Sequence, residues 1–145
     1  MKILVLNGPN INMLGIREKD LYGSVNYSTL VEMINNHAKK LGVDIDIKQS
    51  NYEGDLVTWI QEAYSNEVDG IIINPAAYTH TSIALLDALK TVGIKSVEVH
   101  ITDIHQREKF RQISYVGIYC QKRIVGHGIE GYIEALNYLC KGDKL

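Results

Sequence analysis

The chain has 145 residues, of which 46% are hydrophobic and 22% charged, and its formal net charge is −2. This length and composition suit one compact domain with a single core, which we expect to span residues 1–145. The charge balance lacks the basic excess that a nucleic-acid-binding surface needs. No apolar run approaches the roughly 20 residues of a membrane-spanning helix, so we expect neither nucleic acid nor membrane as a partner.

The cysteines and the first residues indicate a cellular compartment. Cys120 and Cys140 are the two cysteines, and they lack metal-ligand spacing. Two thiols in a chain with an adequate core fit a reducing cytoplasm better than a disulfide scaffold, so we expect a cytoplasmic protein. The apolar run that begins at Ile3 is too short for a signal peptide and stops at Asn7, as a buried strand would.

Short β-rich runs alternate with amphipathic segments along the chain. The predicted strands are residues 3–6, 43–47, 70–73, 96–99 and 123–125, and the predicted helices are 27–41, 54–65, 81–92, 106–112 and 129–139. Gly42 and Gly93 stand where two of these helices should end. Alternating strands and helices predict an α/β fold, a flavodoxin-like three-layer sandwich with a five-stranded parallel sheet.

The strand patterns also predict positions within the sheet. The first and third strands are apolar throughout, as strands covered on both faces must be. The second alternates between polar and apolar residues, which favours an edge strand with one face in water. This pattern places Lys48 outside the core.

Polar loops follow three of the predicted strands, at residues 7–12, 74–80 and 98–103. The carboxyl ends of parallel strands meet at one edge of the sheet, where open α/β folds bind ligands. Pro9 and Pro75 each fix φ in one of these loops, so we expect the loops to be rigid. One such loop would be an ordinary turn, but three at one edge predict a site.

His100 is the best candidate for an acid. Glu98 lies two residues earlier, so both side chains point to the same face of a strand. A carboxylate that fixes one imidazole nitrogen leaves the other to transfer a proton. The competing interpretation is a structural histidine.

The base is harder to assign from the residues alone. Lys48 as a Schiff-base lysine would need an apolar pocket, which its strand pattern does not indicate. Tyr22, with Arg17 nearby in the sequence, is another candidate for the base, but ionising a tyrosine near neutral pH costs roughly 4 kcal/mol. One guanidinium supplies only part of that free energy, so a packing role for Tyr22 remains open.

The remaining charged candidates carry two interpretations each. Arg107 and Arg111 are four residues apart, which on a helix puts both guanidiniums on one face. That pair suits an anion or a polyol, and equally a solvated helix face. We interpret His37, His105 and His127 as structural, and no HxxxH or HxH pattern predicts a metal site.

Several motifs together are similar to those of one enzyme family. They are Asn7-Gly8-Pro9-Asn10 with Leu14-Gly15, Arg17-Glu18 and Tyr22-Gly23; Gln49-Ser50-Asn51 with Glu53-Gly54; Asn74-Pro75 with Thr79-His80-Thr81-Ser82; Glu98-Val99-His100; residues 105–111; and Gly126-His127-Gly128 with Gly131-Tyr132. Their order and spacing resemble those of the type II 3-dehydroquinate dehydratases over nearly the whole chain.

The resemblance implies dehydration of 3-dehydroquinate to 3-dehydroshikimate, a step of the shikimate pathway, without a cofactor or metal. It implies that Tyr22 is the tyrosinate base and that Arg17 lowers its pKa. Asn10 would hold a water against the enolate. His100, oriented by Glu98, would protonate the leaving hydroxyl.

The resemblance also implies substrate-binding and assembly roles. Asn74, Ile101 and Thr102 would bind the substrate carboxylate, and His80 and Arg111 would bind ring hydroxyls. Arg107 would be a partner of a mobile loop, residues 14–23, that closes over the site. The homo-oligomer would consist of trimers assembled into a dodecamer, with Asp87 reaching a neighbouring subunit's site.

Thr102-Asp103 replaces the commoner Ser-Asn of the family, so Asp103 adds negative charge near the expected anion site. The alternative function is a non-catalytic flavodoxin-like module that binds a nucleotide or another small ligand. Such a module should have a loop rich in Gly, Ser or Thr after the first strand, opening a helix.

Overall fold

The computed structural model describes residues 1–16 and 25–141, and its strands alternate with helices as predicted except between the last two strands. The strands are β1 (Lys2–Asn7), β2 (Asp44–Gln49), β3 (Gly70–Asn74), β4 (Lys95–His100) and β5 (Lys122–Val125). The α-helices of the described ranges are α1 (Tyr27–Leu41), α2 (Glu53–Ser65), α3 (Ile83–Val92) and α4 (Glu130–Lys141).

The five strands form one parallel sheet in the order β2-β1-β3-β4-β5, with a layer of helices on each face. Side chains of α1 and α4 pack on one face, around Ile34 and Leu136. Those of α2 and α3 pack on the other, around Ile60 and Leu89. The predicted flavodoxin-like three-layer sandwich is therefore confirmed.

The edge position of β2 is also confirmed. Asp44 and Asp46 are exposed, whereas Ile45 and Ile47 pack against the core. Lys48 is only partly outside the core, because its side chain is 33% exposed and its ammonium lies 5.3 Å from the centroid of the Trp59 ring. The apolar stem of a lysine can cover an aromatic surface while its charge stays in water.

The helix ends follow from local sequence. Asn26 and Ser82 cap α1 and α3, accepting hydrogen bonds from the backbone N–H of Thr29 and Leu85. Gly42 and Gly93 end these helices in the left-handed conformation, as predicted. Within residues 1–16 and 25–141, no helix has the length and apolar character needed to cross a membrane.

The helix predicted for residues 106–112 is wrong. Two short 3₁₀ turns, Ile104–Gln106 and Lys109–Arg111, are separated by extended backbone at Arg107. Asp103 caps the first turn, and Phe110 is 68% exposed. The segment therefore lacks the buried apolar stripe that stabilises a short helix.

Candidate active site

A cleft of about 370 Å³ opens at the carboxyl ends of β1, β3 and β4, where the three polar loops were predicted to meet. Its lining consists of Pro9, Asn10, Ile11, Met13, Leu14, Asn74, Ala76, Ala77, His80, His100, Ile101, Thr102, Ile104, Arg107 and Arg111. Two guanidiniums and two imidazoles line this cleft, and none of its described lining residues is acidic. That charge favours a small anionic ligand.

Two of the loops are joined directly to each other. The backbone N–H of Gly8 donates to the carbonyl of Asn74 over 2.8 Å. A Cβ atom at Gly8 would lie 2.5 Å from the carbonyl oxygen of Pro75, so a side chain there would push the loops apart. The amide of Gln49 braces the first loop by donating to the carbonyl of Gly8 (3.1 Å) and to Asn12 (3.2 Å).

Glu98 and His100 form a buried pair, of which His100 lines the cleft. Nε2 of His100 lies 2.6 Å from Oε2 of Glu98, and the exposed fractions of the two side chains are 6% and 0%. A carboxylate only accepts, so Nε2 carries a proton and Nδ1 is the imidazole nitrogen left for a ligand. The predicted pairing of these two side chains is confirmed.

Glu98 is ionised despite its burial. Burial raises the pKa of this carboxyl, but the hydrogen bond and charge of His100 and the hydroxyls of Ser114 and Thr79 outweigh it and bring the pKa to about 2. Both hydroxyls donate to Oε2, over 2.6 and 2.7 Å. A permanently anionic, fixed carboxylate holds His100 in one orientation.

Asn74 belongs to a second buried network that involves Tyr132 and Asn7. Nδ2 of Asn74 donates to the hydroxyl of Tyr132 over 2.9 Å, and that hydroxyl donates to Oδ1 of Asn7 over 2.7 Å. Oδ1 of Asn74 accepts from the N–H of Ala76. Burial raises the pKa of Tyr132, so its hydroxyl stays protonated. Asn74 is thereby held with one amide N–H left for a ligand in the cleft.

Replacing Tyr132 by phenylalanine is expected to destabilise the fold and to loosen Asn74. The variant leaves two buried amides without the hydroxyl, which costs about 1–3 kcal/mol in the free energy of unfolding. Urea denaturation checks this cost, with Tyr138→Phe on the same helix as the control. A Tyr132→Phe protein as stable as the control would contradict the role of the network.

His80 lies beside His100 on the cleft wall. Its Nδ1 donates to the carbonyl of Ile113 over 2.7 Å. Burial lowers the pKa of His80, so the neutral ring is favoured and its Nε2 is an acceptor. A neutral acceptor in the cleft suits a ligand hydroxyl better than a carboxylate.

The segment after β4 is clamped by the Gly126–Gly128 turn. The carbonyls of His100 and Ile101 accept from the backbone N–H of Gly126 (3.1 Å) and Gly128 (3.0 Å). This holds Ile101 and Thr102 on the cleft wall. Asp103, the departure from the family pattern, accepts from the N–H of His105 over 2.9 Å and is absent from the described lining. Its charge is therefore partly compensated by a backbone dipole.

Arg107 and Arg111 both line the cleft although no helix joins them. Nε of Arg111 lies 2.7 Å from Oε2 of Glu108, and the Arg111 side chain is 28% exposed. Both arginines therefore face the cleft, and Arg111 also makes the contact with Glu108 that the solvated-face interpretation expects. Asp87, in contrast, is exposed on α3 and does not belong to the described lining.

Two histidines that were predicted to be structural lie away from the cleft. His37 is partly buried and contacts Asn137 over 2.8 Å, and His127 is exposed and contacts Glu134 over 2.7 Å. Neither of these two histidines lines the cleft. Arg17 and Tyr22 lie outside the described residues, as does most of the predicted mobile loop.

Comparison with known proteins decides the family. Residues 1–140 match the model of the family described as Dehydroquinase class II. The chain belongs to this family. The 3-dehydroquinate dehydratase of Lachnospira eligens is 54% identical over 137 residues, which cover 94% of this chain and 93% of the relative. The 3-dehydroquinate dehydratase of Clostridium perfringens (strain SM101) is 51% identical over 144 residues, covering 99% of each.

Solved structures agree with this assignment. The type II dehydroquinase of Butyrivibrio crossotus is 54% identical, with a TM-score of 0.94 and coverage of 96% of this chain and 97% of that one. The type II dehydroquinase of Propionibacterium acnes is 38% identical, with a TM-score of 0.92 and 97% coverage of each chain. The resemblance seen in the motifs is confirmed, and the chain is a hydro-lyase enzyme.

The nucleotide-binding alternative has no support in the first loop. That loop leads from β1 into a three-residue 3₁₀ turn, Ile11–Met13, rather than opening an α-helix. Ile11 and Met13 line the cleft where a phosphate-binding loop would present small residues.

Proposed function

We propose that this enzyme dehydrates 3-dehydroquinate to 3-dehydroshikimate by anti elimination through an enolate, with a tyrosinate base and a histidine acid. The observation that carries the proposal is the buried Glu98–His100 pair, whose imidazole lines the same cleft as two arginines. The substrate is a small anionic polyol with a ketone, which matches the charge and size of that cleft. The family assignment and the activities for which its relatives are named support the same reaction.

The first step is removal of the C2 proton by the tyrosinate of Tyr22, with the Arg17 guanidinium favouring the ionised form. The electron pair of the C–H bond moves toward the ketone and gives an enolate. Asn10 holds a water that donates to the enolate oxygen. Asn10 is exposed on the cleft wall, in the left-handed conformation at φ 71°. A donor fixed in advance stabilises developing charge without reorganisation.

The second step is loss of the C1 hydroxyl as water. Nδ1 of His100 gives its proton to that hydroxyl as the enolate collapses and the C1–O bond breaks. Glu98 accepts at the opposite ring nitrogen, so it stabilises the imidazolium before the transfer and orients it. Water then removes the proton gained by Tyr22 and reprotonates His100, so the net reaction releases one water.

The substrate carboxylate is bound by Asn74 and by Ile101 and Thr102 at the clamped end of β4. His80 accepts from a ring hydroxyl through Nε2, and Arg111 donates to another. This assignment follows the donors and acceptors of the cleft: one amide N–H remains on Asn74, and the ring of His80 is held by Ile113.

The loop at residues 14–23 closes over bound substrate and brings Arg17 and Tyr22 to it, with Arg107 as its partner on the cleft wall. Closure excludes water from the enolate. Leu14 already belongs to the cleft lining, so the loop starts at the site.

The active assembly is a dodecamer of four trimers, in which Asp87 reaches a neighbouring site. The exposed position of Asp87 on α3, outside its own cleft, supports a role in trans. Sedimentation is expected to give a multiple of three subunits, and Asp87→Asn to lower kcat/KM without changing that mass. An isolated monomer with full turnover would end this part of the proposal.

Residues 1–145 act as one catalytic domain, and an ultraviolet assay tests the reaction. Purified protein, with no added cofactor or metal, is mixed with 3-dehydroquinate, and the conjugated enone-carboxylate product is followed. Absorbance is expected to rise, and to rise equally after borohydride treatment in the presence of substrate, which excludes a Schiff base on Lys48. A well-folded oligomer that gives no product would refute the proposed function.

A further inference from the structure

Glu98 has a second ionic partner that the two-step mechanism does not use. Nε of Arg123 donates to Oε1 of Glu98 over 2.6 Å, whereas His100, Thr79 and Ser114 all bond to Oε2. We propose that Arg123 is a positioning residue for the proton transfer from His100 to the leaving hydroxyl, because it fixes the Glu98 oxygen that His100 does not contact. This inference rests on the proposed function.

The sheet register brings Arg123 to this place. Glu98 of β4 and Arg123 of β5 are direct neighbours across the two parallel strands. The Arg123 side chain is 32% exposed and the Glu98 side chain is fully buried, so the guanidinium reaches from the surface to a carboxylate beneath it. Arg123 is absent from the described lining of the cleft, so it acts through Glu98 rather than on substrate.

Gly117 makes room for this ion pair. A Cβ atom at Gly117 would lie 2.8 Å from Nε of Arg123 and 2.8 Å from Oε1 of Glu98. Its backbone N–H donates to the hydroxyl of Ser114 over 3.0 Å, and Ser114 donates in turn to Glu98. The same short turn therefore leaves space for Arg123 at one carboxylate oxygen and supplies a donor to the other.

The groups around Glu98 show what Arg123 contributes. His100 faces the carboxylate from β4, Arg123 faces it from β5, and His80 interacts with it from the 3₁₀ turn Ala76–His80. Burial raises the pKa of the neighbouring Cys120 to about 12, so that group is neutral. Among the described residues, Arg123 is the hydrogen-bond donor to Oε1. Without it, Oε1 is a buried anionic oxygen that has lost its donor, and this favours rotation of the carboxylate or its protonation.

Arg123→Met and Arg123→Gln separate the effect of the hydrogen bond to Oε1 from that of the rest of the side chain. The methionine side chain reaches as far as the position of Nε of arginine but has no donor there. Nε2 of glutamine occupies that same position and is a donor. Arg123→Met is expected to lower kcat by about 10- to 100-fold with little change in KM, because a buried oxygen of a charged group loses its partner. Arg123→Gln is expected to recover most of kcat. Lys122→Met removes a charge from the same strand as the control.

The pH profile gives a readout that a purely structural role would not move. In the wild-type protein Glu98 has a pKa of about 2, so its protonation does not limit kcat at ordinary pH. Removing a cation that is hydrogen-bonded to a carboxylate raises the pKa of that carboxylate, so Glu98 of Arg123→Met is expected to take up a proton at a higher pH. Beyond the acid limb that protonation of Tyr22 gives every variant, a further loss of kcat on acidification is expected for Arg123→Met, a weaker one for Arg123→Gln, and no further loss for Lys122→Met.

Infrared spectroscopy with ¹³C-labelled glutamate measures Glu98 protonation without turnover, and Glu98→Gln identifies its band. The inference would be overturned if Arg123→Met kept both the kcat and the acid limb of the wild-type protein. It would also be overturned if Lys122→Met lost as much kcat as Arg123→Met. A wild-type protein that fails to dehydrate the substrate would refute the proposed function. The infrared titration would then decide alone whether Arg123 keeps Glu98 ionised.

Discussion

His100→Gln is expected to lower kcat by about 10²- to 10⁴-fold, the range that a general acid contributes. The glutamine amide can still donate to Glu98, so the buried carboxylate keeps a partner, but an amide cannot give a proton to the leaving hydroxyl. KM is expected to change less than kcat, because the carboxylate-binding groups of the cleft remain in place. Steady-state kinetics with the ultraviolet product signal measures both constants.

The matched control is His127→Gln, on an exposed histidine whose Nδ1 contacts Glu134. It should retain wild-type kcat and thermal stability. If His100→Gln keeps more than a tenth of wild-type kcat, His100 is a structural histidine and the acid must be sought elsewhere in the cleft.

Tyr22→Phe is expected to abolish nearly all turnover, at least about 10³-fold, while substrate still binds. The variant removes only the oxygen that takes the C2 proton, so the groups proposed to bind the carboxylate and ring hydroxyls are untouched. Turnover is measured by product absorbance and binding by isothermal titration calorimetry. Arg17→Met should show a smaller loss and shift the basic group's apparent pKa upward, since the cation favours tyrosinate.

Tyr64→Phe is the control for the loss of a tyrosine hydroxyl, since Tyr64 is 70% exposed on α2. Substantial residual activity in Tyr22→Phe would mean that the base has been misassigned. Loss of binding together with turnover would instead make Tyr22 a substrate-binding residue.

Hydrophobic pattern and helix-end chemistry were sufficient to predict the fold. The apolar β1 and β3 are central strands, and the alternating β2 is an edge strand. The prediction failed at residues 106–112, where two arginines four apart suggested a helix face. Spacing of charged residues carries little weight there because Phe110 stays exposed and gives the segment no apolar anchor.

The site was predictable where its chemistry is local in sequence. Glu98 and His100 are two residues apart on one strand, so their pairing follows from strand geometry. The roles of Arg123 and Tyr132 were missed, because they depend on register and on contacts between distant residues. Tyr132 bonds to Asn7 across 125 positions, and Arg123 bonds to Glu98 across 25. The only sequence signal for Tyr132 was its place in the Gly131-Tyr132 motif, and Arg123 had none.

Removal of the C2 proton and loss of the C1 hydroxyl are assigned to different side chains, Tyr22 and His100. Proton NMR of 3-dehydroquinate in D₂O with His100→Gln tests this assignment. We expect the C2 proton to be replaced by deuterium while 3-dehydroshikimate forms slowly or not at all, because the tyrosinate base still works without the acid. A variant that neither exchanges the C2 proton nor forms product, although it binds substrate, would contradict this division between Tyr22 and His100.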